Sequence, residues 1–213
     1  MLVAFDFDGT LTADEMTVRL AERQGVADEM ASITERAMAG ELSYAESLRR
    51  RARLLSGLAA TEAEEAYRGV RLRPGAGALL SDLRDAGLTV VILTGGFRPG
   101  VEAALEAADT TVDTIISNEL PTADGKLTGD VVGPLIEGTK DEALADRCAE
   151  ANVDLSDTVA VGDGANDRPM LEVAGLAVGF EPKPTVAPAC DVIVESVDEL
   201  RAVFEDRGLL PAT

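Results

Sequence analysis

Leu2-Val3-Ala4-Phe5-Asp6-Phe7-Asp8-Gly9-Thr10 is an apolar run that ends in two carboxylates and a glycine. Four successive apolar residues, broken at Gly9-Thr10, predict a short buried strand followed by a sharp turn. Asp6 falls where that strand ends. Residues two apart lie on one face of a strand, so Asp6 and Asp8 lean to the same side at the carboxyl end of the sheet. Open α/β sheets gather their chemistry there. Two like charges held so close need a divalent hard cation or a shared proton. Read alone, the pair is equally compatible with an Asp-Gly turn whose carboxylates are solvated.

Downstream, residues 14–67 are rich in Ala, Glu, Arg, Leu and Met and contain no Pro. Ile33 and Ala37, then Leu48, Ala52 and Leu55, recur at helical spacing. Gly25, Gly40 and Gly57 punctuate the stretch, with helix starts such as Ser43 and Thr61 close behind. Three or four short helices follow from this, forming a small insertion over 14–72, with residues 71–75 as the return linker.

From there helix and strand alternate. A helix over 75–86 leads into the apolar run Leu88-Thr89-Val90-Val91-Ile92-Leu93, and a second over 99–108 precedes Val112 to Ser117. Asp124-Gly125-Lys126-Leu127 reads as a hairpin turn with Val131 and Val132 on its return strand. A helix over 139–151 then precedes the buried strand Thr158-Val159-Ala160-Val161, and Leu176 to Val178 and Val192 to Val194 supply two more. The alternation predicts an α/β fold with a doubly wound parallel sheet. Residues 1–13 and 73–213 would form the core.

Composition excludes several function classes. Of 213 residues, 39 are acidic and 19 basic, a formal charge of -20. Nucleic acid is not expected as a partner, because phosphate contacts need a basic stripe. The densest basic cluster, Arg49-Arg50-Arg51 with Arg53, reads first as a solvated helix face. Lys126, Lys140 and Lys183 are the only lysines. Many carboxylates with few lysines is the balance of a halophilic cytoplasmic protein, whose self-repulsion is screened over roughly 3 Å at molar salt. Loss of circular dichroism on desalting is the expected result; an unchanged spectrum would refute it.

No leader-like segment and no apolar run approaching roughly 18 residues is present, so neither secretion nor membrane spanning is expected. With the first strand at Leu2, no regulatory domain is expected ahead of it. Cys148 and Cys190, without CxxC spacing, read as packed thiols of a reducing compartment. Histidine is absent. That removes Ser-His-Asp and Cys-His catalysis and every His-ligated metal site. Carboxylates must carry the chemistry.

Three further stretches follow apolar strands on the same sheet edge as Asp6. Thr94-Gly95-Gly96 offers a hydroxyl and glycine amides to an oxyanion, or is a plain strand-to-helix turn. Gly162-Asp163-Gly164-Ala165-Asn166-Asp167 has two carboxylates and an amide suited to Mg²⁺, or is an Asp/Asn-rich loop. Lys140, in the first turn of a helix, is a phosphate partner or a surface lysine.

In order and spacing, Asp6-Phe7-Asp8-Gly9-Thr10, Thr94, Lys140 and Gly162-Asp163-Gly164 with Asp167 resemble the four motifs of the haloacid dehalogenase (HAD) superfamily of phosphohydrolases. The Gly162 to Asp167 loop, the Gly125-Lys126-Leu127-Thr128-Gly129 turn and the helical insertion are similar to those of its phosphoserine phosphatase family. Thr94 stands where a Ser is usual and Tyr44 where a Phe is usual.

The resemblance implies a HAD-like core with a helical cap, and Mg²⁺-dependent hydrolysis of a small phosphomonoester, with phosphoserine, in the last step of serine biosynthesis, as the expected substrate. It casts Asp6 as nucleophile and Asp8 as acid and base. Asp6, Asp8 and Asp163 would hold Mg²⁺, with Asp167 orienting them. Lys140, Thr94, Gly95 and Gly96 would hold phosphate, and Glu15, Met38, Tyr44, Arg51 and Asn166 would contact the rest of the substrate. A cytoplasmic monomer or homodimer is expected. Other readings stay open: a HAD phosphatase for another phosphomonoester, a phosphomutase, or a non-catalytic Mg²⁺-binding module.

Overall fold

Strand β1 (Leu2–Phe5) is followed by five helices: α1 (Met16–Gln24), α2 (Ala27–Met38), α3 (Tyr44–Leu54), α4 (Ala60–Arg68) and α5 (Ala76–Asp85). Then come β2 (Thr89–Phe97), α6 (Arg98–Ala107), β3 (Thr114–Asn118) and a hairpin of β4 (Thr122–Ala123) and β5 (Lys126–Leu127). The chain ends with α7 (Lys140–Ala151), β6 (Thr158–Gly162), α8 (Arg168–Val173), β7 (Leu176–Phe180), β8 (Val192–Val194) and α9 (Val197–Asp206). This computed structural model describes residues 1–38 and 40–212, the side chain of Met38 excepted.

Six strands form one parallel sheet in the order β3-β2-β1-β6-β7-β8. From β1 the chain winds outward through β2 and β3, then returns to β6 on the other side. The strand order therefore reverses between β1 and β6, and a crevice opens at their carboxyl ends. Phe5 pairs with both Ile92 and Val161, so the strand ends that follow are level across β2, β1 and β6.

Every residue of β1, β6 and β7 is buried, which requires helices on both faces. Alternation divides the strands between two cores. Val3, Phe5, Ile92, Val161 and Val178 pack with Leu79, Leu83, Val101 and Phe204. Leu2, Ala4, Val91, Leu93 and Ala160 pack with Leu144, Cys148, Met170 and Leu171 of α7 and α8 on the opposite face. Burying each such large side chain contributes about 1.5–3 kcal/mol. Met16, Leu20 and Tyr67, from the four inserted helices, join the first cluster.

Those helices meet the sequence expectation with local adjustments. Gly25, Gly40 and Gly57 all have φ between +75° and +86°, the left-handed conformation that ends a helix and favours glycine. Ser43 caps α3, its Oγ accepting from the Glu46 amide at 3.2 Å. The next helix starts one residue ahead of Thr61, behind Ala59, which supplies no side-chain cap.

Two departures matter more. Strand β2 runs on to Phe97, so Thr94-Gly95-Gly96 lies within it and not in a turn after it. Thr94 pairs with Ser117 and Phe97 with Asn118, which leaves Gly95 and Gly96 as an irregular bulge against β3. The hairpin's return strand is Lys126–Leu127, because the turn closes at Asp124-Gly125. Val131 and Val132 lie beyond it, where Val132 bridges to Glu119.

Entry to and exit from the inserted helices run side by side. The Arg73 amide donates to the Leu11 carbonyl at 2.8 Å. The Arg73 guanidinium donates to the Gly9 carbonyl at 3.0 Å, pairs with Glu181 at 2.8 Å and lies 4.6 Å from the Phe180 ring centroid. Among the described residues no helix is long and apolar enough to cross a membrane, and Cys148 and Cys190 are both free.

Candidate active site

A cavity of about 400 Å³ lies between the strand ends and the inserted helices. Asp6, Asp8, Thr94, Gly95, Gly96, Asp163 and Asn166 line it from the sheet, and Glu15, Tyr44 and Arg51 from the helices. Lys140 and Asp167 are buried beside it. All but one of the predicted site residues thus converge; the Met38 side chain lies outside the described residues. A larger groove of about 710 Å³ near Arg84, Glu102 and Asp109 contains none of them.

Asp6 continues β1, its amide donating to the Val161 carbonyl at 2.8 Å. Its Oδ1 accepts from Lys140 Nζ at 2.5 Å, and the same ammonium donates to Asp167 Oδ1 at 2.5 Å. Lys140 is 1% exposed, far too buried for an unpaired ammonium. Burial alone would lower its pKa, but the carboxylates of Asp167 and Asp6 outweigh burial and raise it. Asp6 itself is held well above the usual carboxylate range, by burial first and then by the negative charge of Asp167.

Asp167 anchors the loop after β6. Its Oδ2 accepts from the amides of Asp163 at 3.0 Å and Gly164 at 2.8 Å, and Asn166 Nδ2 donates to its Oδ1 at 3.3 Å. Asp163 packs against Gly9, whose φ is +86°; a Cβ there would also fall under 3 Å from the carboxylate. Glycine is therefore required twice over at that position.

Asp8 differs from Asp6 in its partners. Its Oδ1 is buried with no hydrogen-bond partner. Burial, then the charges of Glu15 and Asp6, push its carboxyl well above the ordinary range, so protonation is favoured. Its other oxygen lies against Gly96, where a Cβ would clash at 2.7 Å. The Gly96 amide is taken by Thr94 Oγ1 at 2.9 Å, and Asn118 Nδ2 holds the Gly95 carbonyl at 3.1 Å.

On the helical side, Arg51 separates from its neighbours. Arg49 and Arg50 pair with Glu137 and Glu46 on the surface, as a solvated face would. Arg51 instead lines the cavity, with only a long 3.3 Å bond from Nη1 to Thr17 and a buried Nε that has no partner. Glu15 lines the same cavity. Burial raises the Glu15 carboxyl, while Lys183 and Arg51 pull it down. The Tyr44 hydroxyl rests on Gly95 and is pushed up to about 12, first by burial, so it stays a proton donor.

Sequence reading missed Lys183. Its Nζ stands 3.2 Å from Asp163 Oδ2, at the cavity wall. The scarcity of lysine that pointed to Lys140 pointed equally to Lys183, but the latter follows no strand-end motif.

Asp6, Asp163 and Asp167 bring one carboxylate oxygen each within 4.8 Å of one another. Five acidic side chains here, Asp6, Asp8, Glu15, Asp163 and Asp167, face three cationic ones, Arg51, Lys140 and Lys183. Hard oxygen donors with an excess of negative charge fit a divalent cation such as Mg²⁺.

Comparison with known proteins agrees with this geometry. A family model for haloacid dehalogenase-like hydrolases matches residues 3–172. The phosphoserine phosphatase of Halobacterium salinarum is 58% identical over 208 residues, covering 98% of this chain and 99% of that one. That of Methanocaldococcus jannaschii is 38% identical over 205 residues, covering 96% of each. A solved structure described as a phospho-aspartyl intermediate analogue of phosphoserine phosphatase has a TM-score of 0.88 at 37% identity, covering 96% of this chain and 97% of that one. A substrate-bound phosphoserine phosphatase complex matches with a TM-score of 0.88 at 36% identity and the same coverage. The chain belongs to the haloacid dehalogenase-like hydrolases and, within them, to the phosphoserine phosphatase family.

Proposed function

We propose that this chain hydrolyses O-phospho-L-serine to L-serine and phosphate through an aspartyl-phosphate on Asp6. One observation carries the reading: an Asp6 carboxylate held by Lys140 lies two residues from an Asp8 carboxyl that has an unpartnered buried oxygen, in one cavity. A binding module would need neither a nucleophile nor a neighbouring acid.

In the first displacement an ionised Asp6 oxygen bonds to phosphorus as the bond from phosphorus to the serine oxygen breaks. Asp8, kept protonated by burial and by Glu15 and Asp6, gives its proton to the departing serine oxygen. In the second, water attacks phosphorus, Asp8 takes the water's proton and Asp6 leaves as a carboxylate. Lys140, the Thr94 hydroxyl and the Gly95 amide hold the equatorial oxygens, where transition-state charge lies. The residues that would hold Mg²⁺ are Asp6, the Asp8 carbonyl and Asp163, with Asp167 fixing their loop. Once bound, the ion neutralises charge on the transferring phosphoryl group.

Selectivity is assigned to the helical side. Glu15 would take the substrate ammonium, and Arg51, with donors unspent on the protein, the carboxylate. Residues 14–72 would then act as a cap that excludes water over a core of 1–13 and 73–213. We place the enzyme in the cytoplasm, as a monomer or homodimer.

Phosphate release should be measured in high KCl for L-phosphoserine, phosphothreonine, phosphoglycolate and a sugar phosphate, with Mg²⁺ and with EDTA. The expected result is a preference for phosphoserine of about tenfold, roughly 1.4 kcal/mol, abolished by EDTA. Equal turnover of phosphoglycolate would overturn the Glu15 and Arg51 assignments. Phosphate moved within a substrate, without release, would instead mark a mutase.

A further inference from the structure

Lys183 grips Asp163 at both ends. Its backbone amide donates to the Asp163 carbonyl at 2.9 Å, and its ammonium lies 3.2 Å from Asp163 Oδ2. The other carboxylate oxygen, Oδ1, has only the Thr10 hydroxyl, at 3.4 Å, beyond the ordinary range for such a bond. The two oxygens of Asp163 are therefore unequal. One is covered by a full positive charge and the other is not, while Asp163 offers one carboxylate oxygen to the cluster it forms with Asp6 and Asp167.

Stability alone does not account for this lysine, since its side chain is 43% exposed against 11% for Asp163, and an ion pair open to solvent on the lysine side contributes little to folding. Nor does composition, in a chain that has three lysines among 213 residues. Metal chemistry does account for it. Mg²⁺ demands near-ideal octahedral geometry and keeps several waters, so it suits carboxylates that offer one oxygen. Ca²⁺ takes six to eight oxygens and readily accepts both from one carboxylate.

Building on the proposed Mg²⁺ site, we propose that Lys183 is a metal-selectivity residue: by covering Asp163 Oδ2 it holds Asp163 to one-oxygen ligation and so disfavours Ca²⁺ against Mg²⁺. It is a positioning residue, acting through Asp163. Loss of its positive charge would strengthen binding of both divalent ions alike. The ratio of the two affinities isolates the geometric effect.

The test is a thermal-shift titration of the metal-free full chain in KCl, with Mg²⁺ alone and Ca²⁺ alone, for wild type, Lys183→Met and Lys183→Arg. In Lys183→Met the Ca²⁺ dissociation constant should fall about tenfold relative to that for Mg²⁺. Lys183→Arg, which still covers Oδ2, should keep the wild-type ratio. A Lys183→Met ratio within twofold of wild type, with both ions binding, overturns this inference and leaves the Mg²⁺ site standing. Binding of neither ion by wild type overturns both.

Discussion

Asp6→Asn is expected to reduce phosphate release to background, a loss of about 10⁴-fold or more, because an amide cannot form the phosphoryl bond. Wild type denatured during turnover of labelled phosphoserine should retain covalent phosphate; the variant should retain none. The fold should survive. Asp6 shares a crowded pocket with Asp167 and Asp163, and burial first, then their charges, hold its carboxyl well above the usual range. A neutral amide of the same shape relieves that repulsion, and Lys140 keeps its bond to Asp167. The thermal midpoint should therefore match or exceed that of wild type. Residual activity above a few per cent would refute Asp6 as the nucleophile.

Lys140→Met should damage both function and folding. In its proposed role Lys140 is a donor to the phosphate oxygens, whose removal would cost about 10²–10³ in rate. The substitution also strips two buried carboxylates of their shared partner, and breaking a buried pair in this way costs about 3–5 kcal/mol. In wild type the raised Lys140 pKa means its stabilisation is complete below the ordinary lysine value and is lost only as pH rises through the folded one. The variant should show the same sign in a far more acidic window. With Lys140 gone, the already raised Asp6 carboxyl binds a proton more readily folded than unfolded, so stability should increase as pH falls towards the ordinary carboxylate value. Urea denaturation at several pH values gives the sign directly. A deficit that stays constant on acidification would show that Lys140 does not serve to balance these charges.

Much of this site was legible because its parts lie on short local signals. Asp6, Thr94 and Asp163 each follow a run of buried residues, and buried runs are readable from composition alone. The level ends of β2, β1 and β6 then bring them together whatever the loops do. Register irregularity had no such signal. Gly95 and Gly96 read as a turn, and only the pairing of Thr94 and Phe97 with Ser117 and Asn118 reveals a bulge. The return strand of the hairpin was misplaced because Val131-Val132 is more β-like than Lys126-Leu127. Turn geometry at Asp124-Gly125 overrode that preference. Lys183 and the solitary role of Arg51 depend on tertiary contacts across 20 residues or more, which spacing does not encode.

The stitch at Arg73 has a meaning for descent as well as for mechanics. Because the Gly9 to Leu11 backbone and Arg73 are hydrogen-bonded neighbours, everything between them leaves the sheet and returns at one point. A segment with adjacent ends can be lengthened, shortened or exchanged at little entropic cost to what surrounds it. The strand ends that carry Asp6, Asp8 and Asp163 would be undisturbed by such an exchange, while Glu15 and Arg51 would leave with the segment. On the proposed roles, chemistry and substrate choice would be heritable separately, with one constraint: a replacement must bring its own equivalents of Met16, Leu20 and Tyr67 to seal the sheet beneath.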